Sequence, residues 1–445
     1  MAKAEWQKWM RAWSLMGAVV VGLVVYGQPL RTDSLVREAA GVKHWGYEAE
    51  IQAGRVLSLD KYQKAYMIGK SDYSAAFKFT HVSLPSDSDA FAHDYHYPTF
   101  SIVGKFSKND GVTMHRNEDF PHWDNLSDEY YELAPYNSHL GNSFAVFGSF
   151  GYPLYRGRRW EVDLCCNLGV AYSAKKYDRQ TNVDNDMIGS HVLFYAGGAV
   201  NATYRFAESW GIKAGLDYWH ISNGSTCQPN RSANVLGPTV GVVYYPYYET
   251  LLKERSDYRP PKFKPYWYVN VKGGVGMKTC MEDWERTQYK ITKDHPDWRR
   301  EDFTLYSVAS IQVDAMYRYA RIGAIGGGID IQYNSSYSHL WDNDEEKGID
   351  CAHHPWAVAL DVKHTLFYGN VSLALGGGVY LYKEWGDFSR RKDLFFFNRI
   401  GVHYTIPKLH NLTAGIEVKA HLSKADFAEF VVSMPLRLKA ETLSH

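Results

Sequence analysis

From residue 46 onward the chain is built of runs in which apolar and polar residues alternate, each near or above the ~9–11 residues a tilted strand needs to cross a bilayer. The first series contains "GYEAEIQAGRVLS", "YSAAFKFTHV", "PTFSIVGKF", "GNSFAVFGSFGYPLY", "RWEVDLCCNLGVAYSA", "LFYAGGAVNATYRF", a run from Trp210, and "GPTVGVVYYPYY". A second series of eight follows residue 264. The connections 156–158, 207–209, 368–370 and 407–411 are tight, whereas 107–140, 175–192, 221–236, 279–302 and 335–354 are long. Counted in order, tight connections follow even strands and long ones follow odd strands, with 83–97 as the exception. Short turns on one rim and long loops on the other are the habit of outer-membrane barrels. A soluble sandwich has no reason to sort its loops in this way. The pattern predicts an all-β protein, an antiparallel transmembrane β-barrel of about sixteen strands in two related eight-strand halves. Alternation alone leaves open whether the halves close as one large barrel or as two in tandem.

Composition agrees. The 445 residues carry 49 basic and 49 acidic side chains, so charge points to no nucleic-acid partner. With 34 Tyr, 20 Phe and 14 Trp but a mean hydropathy of −0.39, the chain is aromatic without being apolar. That suits strands showing lipid one face and a polar lumen the other. Residues 1–27 read as a signal peptide: Lys3, Lys8 and Arg11 precede the apolar core "LMGAVVVGLVVYG", which is shorter than a spanning helix needs. The expected organisation is a barrel half over 45–248, a charged linker over 249–264 and a second half over 265–440. The halves look like diverged repeats, with 144–172 parallel to 356–382 and 195–222 parallel to 396–423. Five cysteines make no disulfide scaffold, although Cys280 and Cys351 lie in loops on one side and could pair.

The stretch "LDYWHISNGSTCQPNRSANVLG" (216–237) places His220 and Ser222 two apart at the end of a strand. Counting back by twos, both continue the stripe Trp210, Ile212, Ala214, Leu216, Tyr218. Lys213 and Asp217 occupy the other face, which must be the lumen, so His220 and Ser222 face the lipid at the strand's outer end. Asn234 is in phase with Leu236, Val240, Val242 and Tyr244 on the next strand. A polar pair on a lipid face is costly unless it has a task. The second half has its own His-x-Ser at His421 and Ser423, but in phase with Glu417 and Lys419. That copy faces the lumen and is read as structural.

"HISNGSTCQPNRSAN" resembles the active-site signature of the PagL-type lipid A 3-O-deacylases, outer-membrane β-barrel esterases. The likeness extends over about 95–248 to their acyloxyacyl-hydrolase-like relatives, through "LGNSFAVFGSFGYPLYRGRRW", "LGVAYSAKKYD", "NVDNDMIGSH" and "GPTVGVVYY". The resemblance implies that Ser222 is the nucleophile and His220 its general base. It implies that Asn230 and the backbone N–H near Ser225 serve the oxyanion, and that Asn223 and Gly224 shape the turn. The sequence departs from the family at Asn234, where a glutamate is expected to orient the histidine. The implied function is hydrolysis of an ester-linked acyl chain of lipid A in the outer leaflet of the cell outer membrane, without metal or other cofactor. The alternative is a catalytically impaired barrel acting as a pore, scaffold or lipid-binding protein. His93, His96, His353 and His354 fall in predicted connections and read as solvated loop residues, with metal binding as the alternative there. "GAIGGGID" (323–330) has no helix after it and reads as a strand rather than a dinucleotide loop.

Overall fold

The computed structural model describes residues 44–437 apart from 60–62, 65–66, 116–137, 255–256, 290, 292–293 and 423. The signal peptide expected at 1–27 and Ser423 lie outside the described residues. No helix among the described residues is long and apolar enough to cross a membrane.

The alternating runs become long antiparallel strands. The first series gives β1 (Trp45–Val56), β2 (Ser71–Val82), β3 (Thr99–Lys108), the two-residue pair β4 (Thr113–Met114) and β5 (Ser138–His139), then β6 (Ser143–Arg156), β7 (Trp160–Ser173), β8 (Val192–Arg205), β9 (Trp210–Ser222) and β10 (Ala233–Tyr244). The second gives β11 (Tyr266–Lys278), β12 (Tyr306–Ala320), β13 (Gly323–Asn334), β14 (His353–Tyr368), β15 (Val371–Trp385), β16 (Phe396–Ile406), β17 (Leu412–His421) and β18 (Lys424–Arg437). Each series closes on itself. β1 pairs with β10, from Tyr47 opposite Tyr244 to Val56 opposite Val235, and β11 pairs with β18, from Tyr268 opposite Arg437 to Met277 opposite Ala428. The result is two eight-strand barrels, so the choice left open by the sequence falls to the tandem arrangement. The repeat alignment also falls strand on strand: β6–β7 and β14–β15 are the fourth and fifth of their barrels, β8–β9 and β16–β17 the sixth and seventh.

The connection 83–97, long where a tight turn was expected, holds a 3-10 turn at Pro85–Asp87 and a helical turn at Ala90–Asp94, whose first amides are capped by Asp89 Oδ1. Cys280 and Cys351 do not pair; all five thiols are free. The segment 323–330 lies in β13, as its alternation predicts. The compact units do not follow the strand series at their loops. Over the described residues the first comprises 44–223, 227–261 and 284–302, and the second 224–226, 262–283 and 303–437.

Inside and outside are sharply separated. On β9, Ile212 and Leu216 are 55% and 51% exposed, while their neighbours Lys213 and Asp217 are 4% and 5% exposed. An eight-strand barrel is just wide enough to be filled by its own side chains. Here the filling is ionic. In the first barrel Lys105 Nζ donates to Asp217 Oδ2 and to Gln52 Oε1, both at 2.8 Å, and Trp219 Nε1 donates to the same Gln52 oxygen at 3.1 Å. Lys213 and Tyr245 bond to Glu48, and Lys78 pairs with Glu50 at 2.9 Å. In the second barrel Lys363 Nζ lies 2.6 Å from Asp314 and 2.9 Å from Asp361. Arg399 bonds Asp330 at 2.9 Å and also Glu429, while Glu417 takes Lys272 and His403. Buried charges persist only where they are paired and hydrogen-bonded. These pairs tie strands to one another inside each barrel.

Candidate active site

His220 and Ser222 keep the outward phase of β9, two and four residues beyond Tyr218 at the long-loop rim. β9 pairs with β10 as far as Ile221 opposite Ala233, with His220 directly opposite Asn234. Ser222 therefore sits one residue past the last β9–β10 pair, still opposite Phe194 of β8, where the chain leaves the sheet for its loop.

His220 Nδ1 lies 2.8 Å from Asn234 Oδ1. A carbonyl oxygen only accepts, so Nδ1 carries the proton and Nε2 is left with its lone pair. The same Asn234 oxygen accepts a 2.7 Å bond from Tyr218 Oη, and the Asn234 carbonyl takes the N–H of Leu57 at 2.7 Å. Tyr218 was not singled out from the sequence. The signal was present: it stands two residues before His220 on the same stripe, a tyrosine whose hydroxyl needs a partner. Among the described residues no hydrogen bond joins Ser222 to His220.

The loop after Ser222 is folded by asparagines. Asn230 Oδ1 accepts the N–H of Asn223 at 3.0 Å, and Asn223 Nδ2 donates to Cys227 O at 2.9 Å. The Asn230 side chain is thus anchored through its oxygen beside the residue that follows Ser222, while its Nδ2 is buried and has no hydrogen-bond partner among the described residues. An orphan buried donor is costly and calls for an explanation. Arg231 next to it is fixed by an ion pair to Asp186 at 3.3 Å, and Gln63 Nε2 donates to the Arg231 and Ser232 carbonyls at 3.2 and 2.9 Å. Gly224 and Ser225 take left-handed backbone conformations, φ 63° and 65°, which suits the glycine and strains the serine. Both belong to the second unit, where Ser225 Oγ donates to Ala425 O at 2.6 Å. The first unit thus holds two linked pairs, His220 with Asn234 and Asn223 with Asn230, with Ser222 on the chain between them, while Gly224 and Ser225 fall in the second unit.

The second His-x-Ser differs at the point of orientation. His421 faces the lumen of its barrel, 3.1 Å from Tyr380 Oη, and Tyr380 also bonds Lys419. It is part of the ionic filling.

Comparison with known proteins bears on these observations. Residues 108–243 match the family model of lipid A 3-O-deacylase (PagL), and residues 266–437 match that of the acyloxyacyl hydrolase C-terminal domain. No curated protein matches the chain. Among solved structures it resembles the outer-membrane enzyme PagL, at 13% identity over 45% of this chain and 98% of that one, TM-score 0.24. It also resembles the NanC porin, at 6% identity over 88% and 99%, TM-score 0.14. The two family matches divide as the two barrels do, one to each, and only the connector lies between them. Residues 108–243 thus form a domain of the lipid A 3-O-deacylase (PagL) family, and residues 266–437 a domain of the acyloxyacyl hydrolase C-terminal family, in a chain of two β-barrels.

Proposed function

We infer that the first barrel is a serine esterase that removes an ester-linked acyl chain from lipid A, with Ser222, His220, Asn234 and Asn230 as its working residues. The observation that carries this reading is the fixed tautomer of an outward-facing histidine: Asn234 leaves His220 Nε2 basic on the face that meets the outer leaflet. Ser222 Oγ attacks the ester carbonyl and its proton passes to His220 Nε2. The oxygen that becomes negative accepts from Asn230 Nδ2, which explains why a buried donor there lacks a partner. Collapse of the intermediate expels the sugar alkoxide, which takes the proton from His220. Water, activated by the same nitrogen, then releases the fatty acid and restores Ser222.

Asn234 holds the imidazole in place as a glutamate would but supplies no negative charge to the imidazolium that forms. The reading therefore combines retained geometry with weakened electrostatics. Against the pore alternative stand the ion pairs that link strands inside both barrels. Mass spectrometry of lipid A from cells expressing wild type or Ser222→Ala tests the proposal. Loss of one acyl chain with wild type alone is expected; identical patterns, with both proteins present in the membrane, would overturn it.

A further inference from the structure

Among the described residues, one group of side chains converges as metal ligands do, and it lies in the second unit. Asp344, near the end of the helix Tyr337–Glu346, Cys351 in the loop that follows, and His353 at the start of β14 bring their ligand atoms together. His353 Nε2 is 3.0 Å from Asp344 Oδ2, Cys351 Sγ is 3.4 Å from that oxygen, and Sγ is 3.8 Å from Nε2. The Asp344 and His353 side chains are 2% and 3% exposed. We propose that Asp344, Cys351 and His353 form a three-ligand site for a borderline-soft divalent cation, zinc in the first place, with the fourth position left to water or an exogenous donor.

The distances argue for it. Tetrahedral zinc with bonds of about 2.0 Å to oxygen, 2.05 Å to nitrogen and 2.3 Å to sulfur sets ligand separations of about 3.3 Å (O–N), 3.5 Å (O–S) and 3.6 Å (N–S). The three separations in the protein each come within a few tenths of an ångström of those values. The donor set argues for the same metal. Thiolate and imidazole together disfavour magnesium and calcium, which seek oxygen alone.

The same three residue types could instead form a Cys-His-Asp relay, and the geometry excludes that. A relay uses the two ring nitrogens separately, one toward the nucleophile and one toward the acid. Here sulfur and carboxylate both approach Nε2, which is convergence on a point. The surroundings keep that point clear. Gly386 has φ 89°, and a Cβ there would lie 2.9 Å from both Asp344 Oδ2 and His353 Nε2. The Asp387 N–H holds the carboxylate at 2.8 Å, and Trp341 stacks parallel to the His353 ring. On binding, the Cys351 thiol gives its proton to solvent and sulfur bonds as thiolate. His353 then carries its proton on Nδ1, and Asp344 gives up its contacts with the His353 Nε2–H and the Cys351 S–H for a bond to the metal, keeping that with the Asp387 N–H.

The test uses the full chain refolded in detergent, with closure of the barrels verified by heat-modifiable migration. After exposure to zinc and desalting, wild type should retain one equivalent per chain, and cobalt should give ligand-field bands with a sulfur-to-cobalt charge-transfer band. Cys351→Ser should lose the charge-transfer band, and His353→Gln should lose at least tenfold in zinc affinity. Wild type without stoichiometric metal, or Cys351→Ser with the band intact, would overturn the proposal. Should a variant fail to fold, wild type alone decides. Zinc should slow alkylation of Cys351 at least tenfold, and unchanged alkylation counts against the site.

Discussion

Asn234 Oδ1 and His220 Nδ1 stand 2.8 Å apart, side by side on neighbouring strands in direct register, and this one bond leaves Nε2 as the nitrogen of His220 with a free lone pair. Because the partner is an amide, orientation and charge stabilisation are separated at this position, and substitutions can test each.

Asn234→Glu should raise the deacylation rate on lipid A. Exchanging the orienting Asp for Asn in a serine protease costs about 10⁴-fold in kcat, which sets a ceiling on the gain from the reverse change. Asn234→Leu, which cannot fix the tautomer, should lower kcat at least tenfold with little change in KM. Tyr218→Phe, which leaves Asn234 and His220 in contact, should cost only a few-fold. A glutamate variant slower than wild type would remove His220 from the role of base.

Asn230→Asp separates the two ends of one side chain. The oxygen that accepts the Asn223 N–H is retained, so the loop should fold, while the Nδ2 donor is replaced by a charge. Loss of one oxyanion donor costs about 10²–10³ in kcat. Unchanged turnover with normal heat-modifiable migration would show that the buried Nδ2 has another purpose.

Orientation should discriminate the two histidines. His220→Ala should abolish deacylation, whereas His421→Ala, which removes a lumen residue bonded to Tyr380, should leave the rate within a few-fold. A lumen-facing base cannot reach an ester at the leaflet boundary. If His421→Ala proved the inactivating change, the inside–outside assignment would be reversed.

The lipid-facing stripe has its own energetic test. Leu216 is half exposed and follows Ile212 on the outer face of β9. An arginine at mid-membrane on that face costs about 2–4 kcal/mol, less toward the rims. Equilibrium folding of Leu216→Arg into vesicles should show a loss of this size, and a cost near zero would place the residue out of contact with lipid.

One pH effect lies outside the strands. His339 Nε2 donates to Asp283 Oδ1 at 2.8 Å, and this hydrogen bond, opposed by burial and aided by the charges of Asp283, Glu282 and Asp342, holds its pKa above the ordinary value. A pKa raised on folding favours the protonated ring in the native state. The stability gained is present in full below the unfolded value of about 6.5 and is lost as pH rises through the folded pKa. The difference in Tm between wild type and His339→Gln should therefore shrink from pH about 5.5 to pH about 8.5. A difference that stays constant across this range would show that His339 contributes only packing, for instance its stacking on Tyr306.

Strand existence, strand direction and the face of each side chain were legible in the sequence because they depend on a local period of two. Lys213 and Asp217 against Ile212 and Leu216 already declare lumen and lipid. The placement of His220 and Ser222 on the lipid side and His421 on the lumen side follows from the same count, as does the phase of Asn234 with the outer face of β10. What alternation lacks is the partner of a first strand. Whether β1 pairs with β10 or opens toward a later strand turns on hydrogen-bond register between segments almost two hundred residues apart, and only the closed sheet decides for two barrels over one. The same holds for contacts made across strands and loops. Tyr218 meets Asn234, Asn230 Oδ1 meets the N–H of Asn223 while its Nδ2 stays buried, and Asp344, Cys351 and His353 converge around Gly386. Each of these depends on atoms brought together by backbone geometry rather than by residue type, so no reading of one segment at a time could reach them.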